Sequence, residues 1–227
     1  MSSLASLALQ PGSLMKILSI NRGKKQQLVF NNKVFDTGLF KDPIAGSARV
    51  GRFGIDDDVI VDRSVHGGPD QAVYLYSAED YAWWASENGK VLAPGTFGEN
   101  LTTAGIDLRT LVIGDRLVIG EVELEVTAPR VPCFKLATRM GDPTFVKQFV
   151  RAARPGAYAR VLHEGELAVG DRIRLEKTTE DFAGLVDVFN AWHAKQPAAD
   201  VLQKALRSPL GEHHRKRIQA LYAAASG

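Results

Sequence analysis

From residue 15 to about 176 the apolar positions fall in short runs. "KILSI", "AVYLY", "RLVIG" and "VELEVT" are β-branched or alternate with polar residues, and each is bounded by Gly, Asp or Asn. Such runs read as strands. Many short strands separated by frequent turns predict a mainly β, α+β fold of barrel or sandwich type. "LVIGDRLVIG" at Leu111–Gly120 echoes "LAVGDRIRLE" at Leu167–Glu176, which is expected from one Gly-Asp turn used twice. Two helices interrupt the strands. Ser77–Asn88 opens on a capping-box pattern, Ser77 with Asp80, and puts Tyr81 and Trp84 on one face with Trp83 on another. Asp142–Ala153 has Pro143 in its first turn and gathers Phe145, Val146 and Phe149.

After about residue 177 the period changes. Phe182, Leu185, Val186 and Phe189 recur at helical spacing within Thr179–Ala194, and Pro197 ends the pattern. Val201, Leu202, Ala205 and Leu206 form a second apolar face, broken at Pro209. Ile218, Leu221 and Tyr222 form a third. The expectation is a β domain over 15–176 and a three-helix unit over 177–227, too small to be stable without packing on something else. Residues 1–14 read as an unstructured leader. No basic residue precedes Lys16, and Gln10-Pro11-Gly12 cuts the apolar stretch short, so the start is unlike a secretory signal.

Composition narrows the function. The net charge of +2 over 227 residues gives no footprint for nucleic acid or an acidic membrane, and no apolar run is long enough to span one. A cytoplasmic protein is expected. The chain has one cysteine. It therefore has no internal disulfide, no all-cysteine zinc site and no four-cysteine iron–sulfur cluster. The third helix carries "EHHRKR" at Glu212–Arg217. Neighbouring histidines on a helix diverge by about 100°, so a solvated basic face is expected there rather than a metal site.

That cysteine, Cys133, sits in "RVPCF" with Arg130, Lys135 and Arg139 nearby. Positive charge favours a thiolate, which is both nucleophile and metal ligand, while a buried inert cysteine is the plain alternative. "VHGGPDQAVYLY" at Val65–Tyr76 offers a glycine turn, Gly67-Gly68, of the kind that brings backbone N–H groups close to a ligand, with His66 at its edge; an ordinary loop with a surface histidine is the plain alternative. No G-x-S-x-G accompanies it, so an esterase is not indicated. In "GTFGENLTT", Gly95–Thr103, Asn100 suits a ligand or the closing of a turn. In "TGLFKDP", Thr37–Pro43, Lys41 suits a phosphate or solvent.

Taken in order, "MKILSIN", "TGLFKDP", "HGGPDQAVYLY", "GTFGENLTT", "IGDRLVIG" and "VTAPRVPCFKL" resemble the MOSC domain family, in its YiiM-like branch, which adds three helices after the domain. The resemblance implies a β-barrel that binds the molybdenum cofactor, with Cys133 as the metal ligand and Lys41, His66, Gly67, Asn100 and Arg130 around the cofactor. It implies reduction of N-hydroxylated compounds such as hydroxylaminopurines, hydroxylamines and amidoximes. His66 and Glu99 are then the candidate proton donors. One stretch departs from the pattern: Asp57-Asp58 stands in "GIDDDVIVD" where a second Gly-Asp turn is expected. The chain has no dinucleotide fingerprint. Electrons are therefore expected from an external reductase, docking on Arg215–Arg217, and a homodimer is left open. Other readings of the residues are a sulfur or cofactor carrier using Cys133 without turnover, a Cys133–His66 thiol enzyme, and a binding module.

Overall fold

The computed structural model describes residues 14–61 and 67–225. In chain order its elements are β1 (Lys16–Gly23), β2 (Gln26–Phe30), β3 (Lys33–Thr37), β4 (Lys41–Pro43), β5 (Ser47–Gly51), β6 (Gly54–Ile55), β7 (Val73–Ser77), α1 (Ala78–Asn88), β8 (Leu101–Ala104), β9 (Arg116–Ile119), β10 (Val122–Pro129), α2 (Phe134–Met140), α3 (Phe145–Ala152), β11 (Ala157–His163), β12 (Gly165–Ala168), β13 (Arg174–Glu176), α4 (Leu185–His193), α5 (Ala199–Arg207) and α6 (Glu212–Ala225). Helix and strand contribute almost equally, at 31% and 32%. The leader expected over 1–14 lies outside the described residues except for Leu14.

Eight strands form one mixed sheet in the order β13-β9-β10-β11-β7-β8-β1-β4. Every pair is antiparallel except β7 with β8, which α1 connects. An isolated bridge between Lys16 and Arg172 brings β1 back towards the segment leading into β13. The sheet thus bends on itself, but among the described residues no continuous ladder closes it, so the closed barrel of the sequence reading is not shown. β12, β5 and β6 make a three-stranded sheet, and β2 pairs only with β3.

β7 explains how the interior is divided. All five of its residues are buried, and successive side chains on a strand point to opposite faces. Val73 and Leu75 join an aliphatic core with Ile17, Leu124, Val126 and residues of α4–α6. Tyr74 and Tyr76 join an aromatic core with Tyr81, Trp84, Phe97, Phe145 and Phe149. Phe97 stacks on Tyr76 at 4.2 Å. α1 closes over this second core as its sequence predicts. Ser77 caps it by accepting from the Asp80 backbone N at 3.0 Å, Gly89 ends it, and Trp83 turns outward under the Arg154 guanidinium.

The tail helices share the aliphatic core. Leu185, Val188, Leu202, Ala205 and Ile218 belong to the same buried cluster as the sheet. α4 starts at Leu185, after Gly184, so Phe182 precedes the helix rather than opening it. His214, expected in solvent, is 2% exposed and packs against Trp192 at 4.9 Å. It falls four residues before buried Ile218, on the inward face of α6.

The two Gly-Asp turns use one device. Asp115 Oδ2 accepts from the Val112 backbone N, and Asp171 Oδ2 accepts from the Ala168 backbone N, both at 2.8 Å. At the departure in "GIDDDVIVD" the turn survives in altered form. Asp57 takes φ 63°, the left-handed conformation that glycine adopts freely and aspartate tolerates. Asp57→Val is expected to lose about 1–2 kcal/mol, and Asp57→Gly little or nothing. Urea unfolding of the two variants checks this; equal stability would mean the backbone does not depend on this conformation.

Candidate functional site

The cleft lies beside the aromatic core. Its walls are Thr37, Gly38 and Leu39 after β3, Lys41 of β4, Asp58–Val61, Gly67, Gln71, Tyr74 of β7, Gly98 and Asn100 before β8, Arg130–Lys135 in part, and Tyr158 of β11. It encloses about 680 Å³ counted to its open mouth. Lys41, Gly67, Asn100, Arg130 and Cys133, which are far apart in sequence, meet here. His66 lies outside the described residues. Glu99 does not line the cleft. It is fully buried behind it, and its Oε1 accepts from Tyr81 Oη at 2.7 Å, the Gly95 backbone N at 2.6 Å and Thr102 Oγ1 at 2.8 Å. Burial raises its pKa, but the carboxyl has no direct contact with the cleft; it pins the 95–98 turn instead.

Cys133 is half-buried at the residue before α2, with extended backbone (φ −129°) and no cap bond from its side chain. Proline at 132 restricts how the chain arrives. Phe134 then starts the helix by packing between Phe30 and Phe35, at 4.7 and 5.0 Å. Arg130 is 4% exposed. Its Nη1 donates to the Phe97 carbonyl, and its guanidinium lies 5.3 Å from the Tyr74 ring centre. Burial works against its charge, but Tyr74, Tyr158 and Cys133 around it hold its pKa above the ordinary range. Tyr74 and Tyr158 are directly opposed across β7 and β11 and form an aromatic wall 5.0 Å between ring centres.

The sequence reading missed Asp58, which organises the other side of the cleft. Its Oδ1 accepts from the Gly23 backbone N at 2.7 Å. Its Oδ2 accepts from Lys41 Nζ and from Asn100 Nδ2, the latter at 2.8 Å. Lys41 and Asp58 have side chains only 8% and 4% exposed. Burial lowers the Lys41 pKa, against the pull of Asp58. Asn100 is equally engaged: its Oδ1 accepts from the Tyr74 backbone N at 3.1 Å, and its own backbone bonds link β7 and β1. The close approach of chains here needs glycine. A Cβ on Gly38 would lie 1.8 Å from the Val59 carbonyl oxygen.

The arrangement places one thiol and three cations, Lys41, Arg130 and Lys135, around a cleft with a single carboxylate among its described walls. The MOSC domain profile matches residues 62–174, and YflK of Bacillus subtilis, uncharacterised, is 37% identical over 159 residues, 70% of this chain and 72% of its own. This chain belongs to the MOSC domain family. The protein YiiM of Escherichia coli is 27% identical over 69% of this chain and 71% of its own. A protein of Gibberella moniliformis named Reductase is 33% identical over 65% of this chain but only 27% of its own length. Among solved structures, YiiM from Geobacillus stearothermophilus superposes with a TM-score of 0.74 at 26% identity, covering 92% of this chain and 99% of that one. The MOSC match begins at Asp62, after Lys41 and Asp58. The cleft therefore combines the matched region with a wall from upstream of it.

Proposed function

We propose that this MOSC protein binds the molybdenum cofactor with Cys133 as its protein ligand and reduces N-hydroxylated compounds with electrons from a separate reductase. The observation that carries the reading is the chain's one thiol standing in a cation-rich cleft. The residues present fit the group. A thiolate is a soft donor suited to a metal held by other sulfurs. Arg130 and Lys135 offset a phosphate-bearing anion, and Gln71 offers a buried Oε1 acceptor that has no partner among the described residues, suited to a ring N–H. When bound, the cofactor supplies two-electron oxygen-atom chemistry, so that R–NHOH, two electrons and two protons give R–NH2 and water.

The chain's own contribution is placement and charge. Pro132 and the Phe134 contacts fix where the Cys133 sulfur points. Arg130, held by the Phe97 carbonyl and Tyr74, keeps a permanent positive charge beside the thiolate. Tyr74 and Tyr158 exclude water from one side, which strengthens those electrostatic interactions. Lys41 is neutralised by Asp58, so Arg130 and Lys135 are the cations assigned to an incoming anion. Glu99 is set behind the wall, so the proton donor proposed is His66, whose ordinary pKa lies near neutrality. The relative named Reductase supports reductive chemistry of this kind.

Cys133→Ser is expected to keep the fold and lose both metal and turnover, because a serine hydroxyl is a harder and more basic ligand. Protein made in cells that synthesise the cofactor is analysed for molybdenum and assayed with hydroxylamine, a hydroxylaminopurine and an amidoxime. Unchanged metal and activity in the variant would remove Cys133 from the site. Metal present without turnover on any N–OH compound would favour a carrier role.

A further inference from the structure

Among the described walls of the cleft, only Gln71 buries a side-chain polar atom that has no partner, its Oε1. Gln71 is 8% exposed. It ends a single 3-10 turn, Pro69–Gln71, which starts from Gly68 and is closed by a bond from the Gln71 backbone N to the Gly68 carbonyl at 3.2 Å. A turn this short has little stability of its own. What holds it lies in the helical tail. The middle residue, Asp70, makes three contacts outside the turn. Its carbonyl accepts from Thr127 Oγ1 at 2.5 Å, its Oδ2 accepts from the Glu212 backbone N at 2.9 Å, and its Oδ1 faces Arg160 Nη2 at 2.9 Å. Glu212 opens α6, so Asp70 caps that helix from a distant part of the chain. The positive end of the helix favours the carboxylate.

The segment that receives Asp70 is itself fixed. Arg160 donates to the Pro209 carbonyl at 2.9 Å and to Glu125 Oε2 at 3.2 Å, and the Gly211 backbone N donates to the Thr127 carbonyl at 3.1 Å. Arg215 donates to the Leu206 and Ser208 carbonyls at 2.7 and 2.6 Å, so part of the basic run expected to face a partner is used inside the fold. The approach is close: a Cβ on Gly211 would lie 3.1 Å from the Asp70 Cβ. We infer that Asp70 is a positioning residue, through which the helical tail holds Gln71 in place for the ligand of the cleft. The inference rests on the proposed cofactor, whose ring N–H is the group that the Gln71 Oε1 would accept. It gives the tail a part in the site although no residue of α4, α5 or α6 is among the described walls.

Two measurements separate the link from the ligand. In the full chain without cofactor, the Gln71 side-chain amide signals in a heteronuclear NMR spectrum, identified by their loss in Gln71→Leu, report the side chain directly. Asp70→Ala is expected to shift or broaden them. Glu212→Pro removes the tail's donor while Asp70 stays, at a first-turn position that suits proline, and should do the same. Binding is measured with neopterin phosphate, a fluorescent pterin that carries a phosphate. Gln71→Leu and Asp70→Ala should each weaken it at least fivefold. The double variant should fall no more than twofold below either, because both changes act at one contact. Asp70→Asn, whose amide oxygen can still accept from Glu212, should stay close to the wild type in both measurements. Effects that multiply in the double variant would show that Asp70 acts elsewhere than through Gln71 and overturn the inference. Gln71 signals left unchanged by Asp70→Ala and Glu212→Pro, or wild-type affinity in Asp70→Ala, would overturn it too. Failure of the wild type to bind the pterin phosphate would count against the proposed cofactor alone, because the NMR comparison still decides whether the tail holds Gln71.

Discussion

Asp58→Ala should lose about 3–5 kcal/mol of stability, the range for removing one partner of a buried ion pair. The cause is specific. The substitution leaves the Lys41 ammonium, the Asn100 amide and the Gly23 backbone N–H without their acceptor, all close to the floor of the cleft. Asp58→Asn should cost less, because an amide oxygen can still accept from Gly23. Lys41→Met alone should also destabilise, since it leaves the Asp58 carboxylate buried without its cation. The double variant Lys41→Met/Asp58→Asn should be clearly less damaged than the sum of the two single changes. Urea unfolding of the four proteins measures this coupling. Additive effects would show that the two charges do not depend on one another.

His214 should make the fold sensitive to acid. It is buried against Trp192, neither ring nitrogen has a hydrogen-bond partner among the described residues, and the Pro129 backbone, which favours its charged form, is outweighed by burial. Burial, helped by His213, pushes its pKa from 6.5 down to about 3. The imidazole is therefore neutral in the folded chain and takes up a proton when unfolded. Stability from this group is undiminished above pH 6.5 and declines as the pH falls towards 3, by about 1.4 kcal/mol per pH unit over the middle of that window. His214→Phe removes the titration. Its unfolding free energy should fall less steeply than the wild type's between pH 6 and 4, whatever the cost of the larger ring at pH 7. Parallel pH profiles would show that His214 is not buried neutral.

The outward features of the fold were legible because they are local. Ser77 and Gly89 mark the ends of α1, and Gly-Asp marks two turns. α2 escaped notice because it is only seven residues long and Lys135, Thr138 and Arg139 make its sequence look like loop. The signal present was Gly141 as a left-handed C-cap. The β2–β3 hairpin also went unread, although Asn31-Asn32 between two β-prone runs is its signal. His214 was misplaced because the diverging His213 was weighed, while the four-residue spacing to Ile218 was not. In the site, Cys133 and the glycine loops could be singled out by residue type. The partners of Lys41 and Asn100 could not. They lie 17 and 42 residues away in Asp58, and no spacing rule encodes a contact made through strands that pair out of sequence order.

That strand order also fixes when the cleft can exist during synthesis. β1 pairs with β8, and β11 inserts between β10 and β7, so most of the large sheet waits for distant segments to arrive. Pairings of long sequence separation close late and fold slowly. The walls of the cleft come from positions between Thr37 and Tyr158. A nascent chain that has emerged only as far as Cys133 holds the thiol but not the aromatic wall, since Tyr158 has yet to align with Tyr74. Any ligand of the finished cleft would meet a chain already made at least as far as Tyr158, and its binding energy would act as a late clamp on folding.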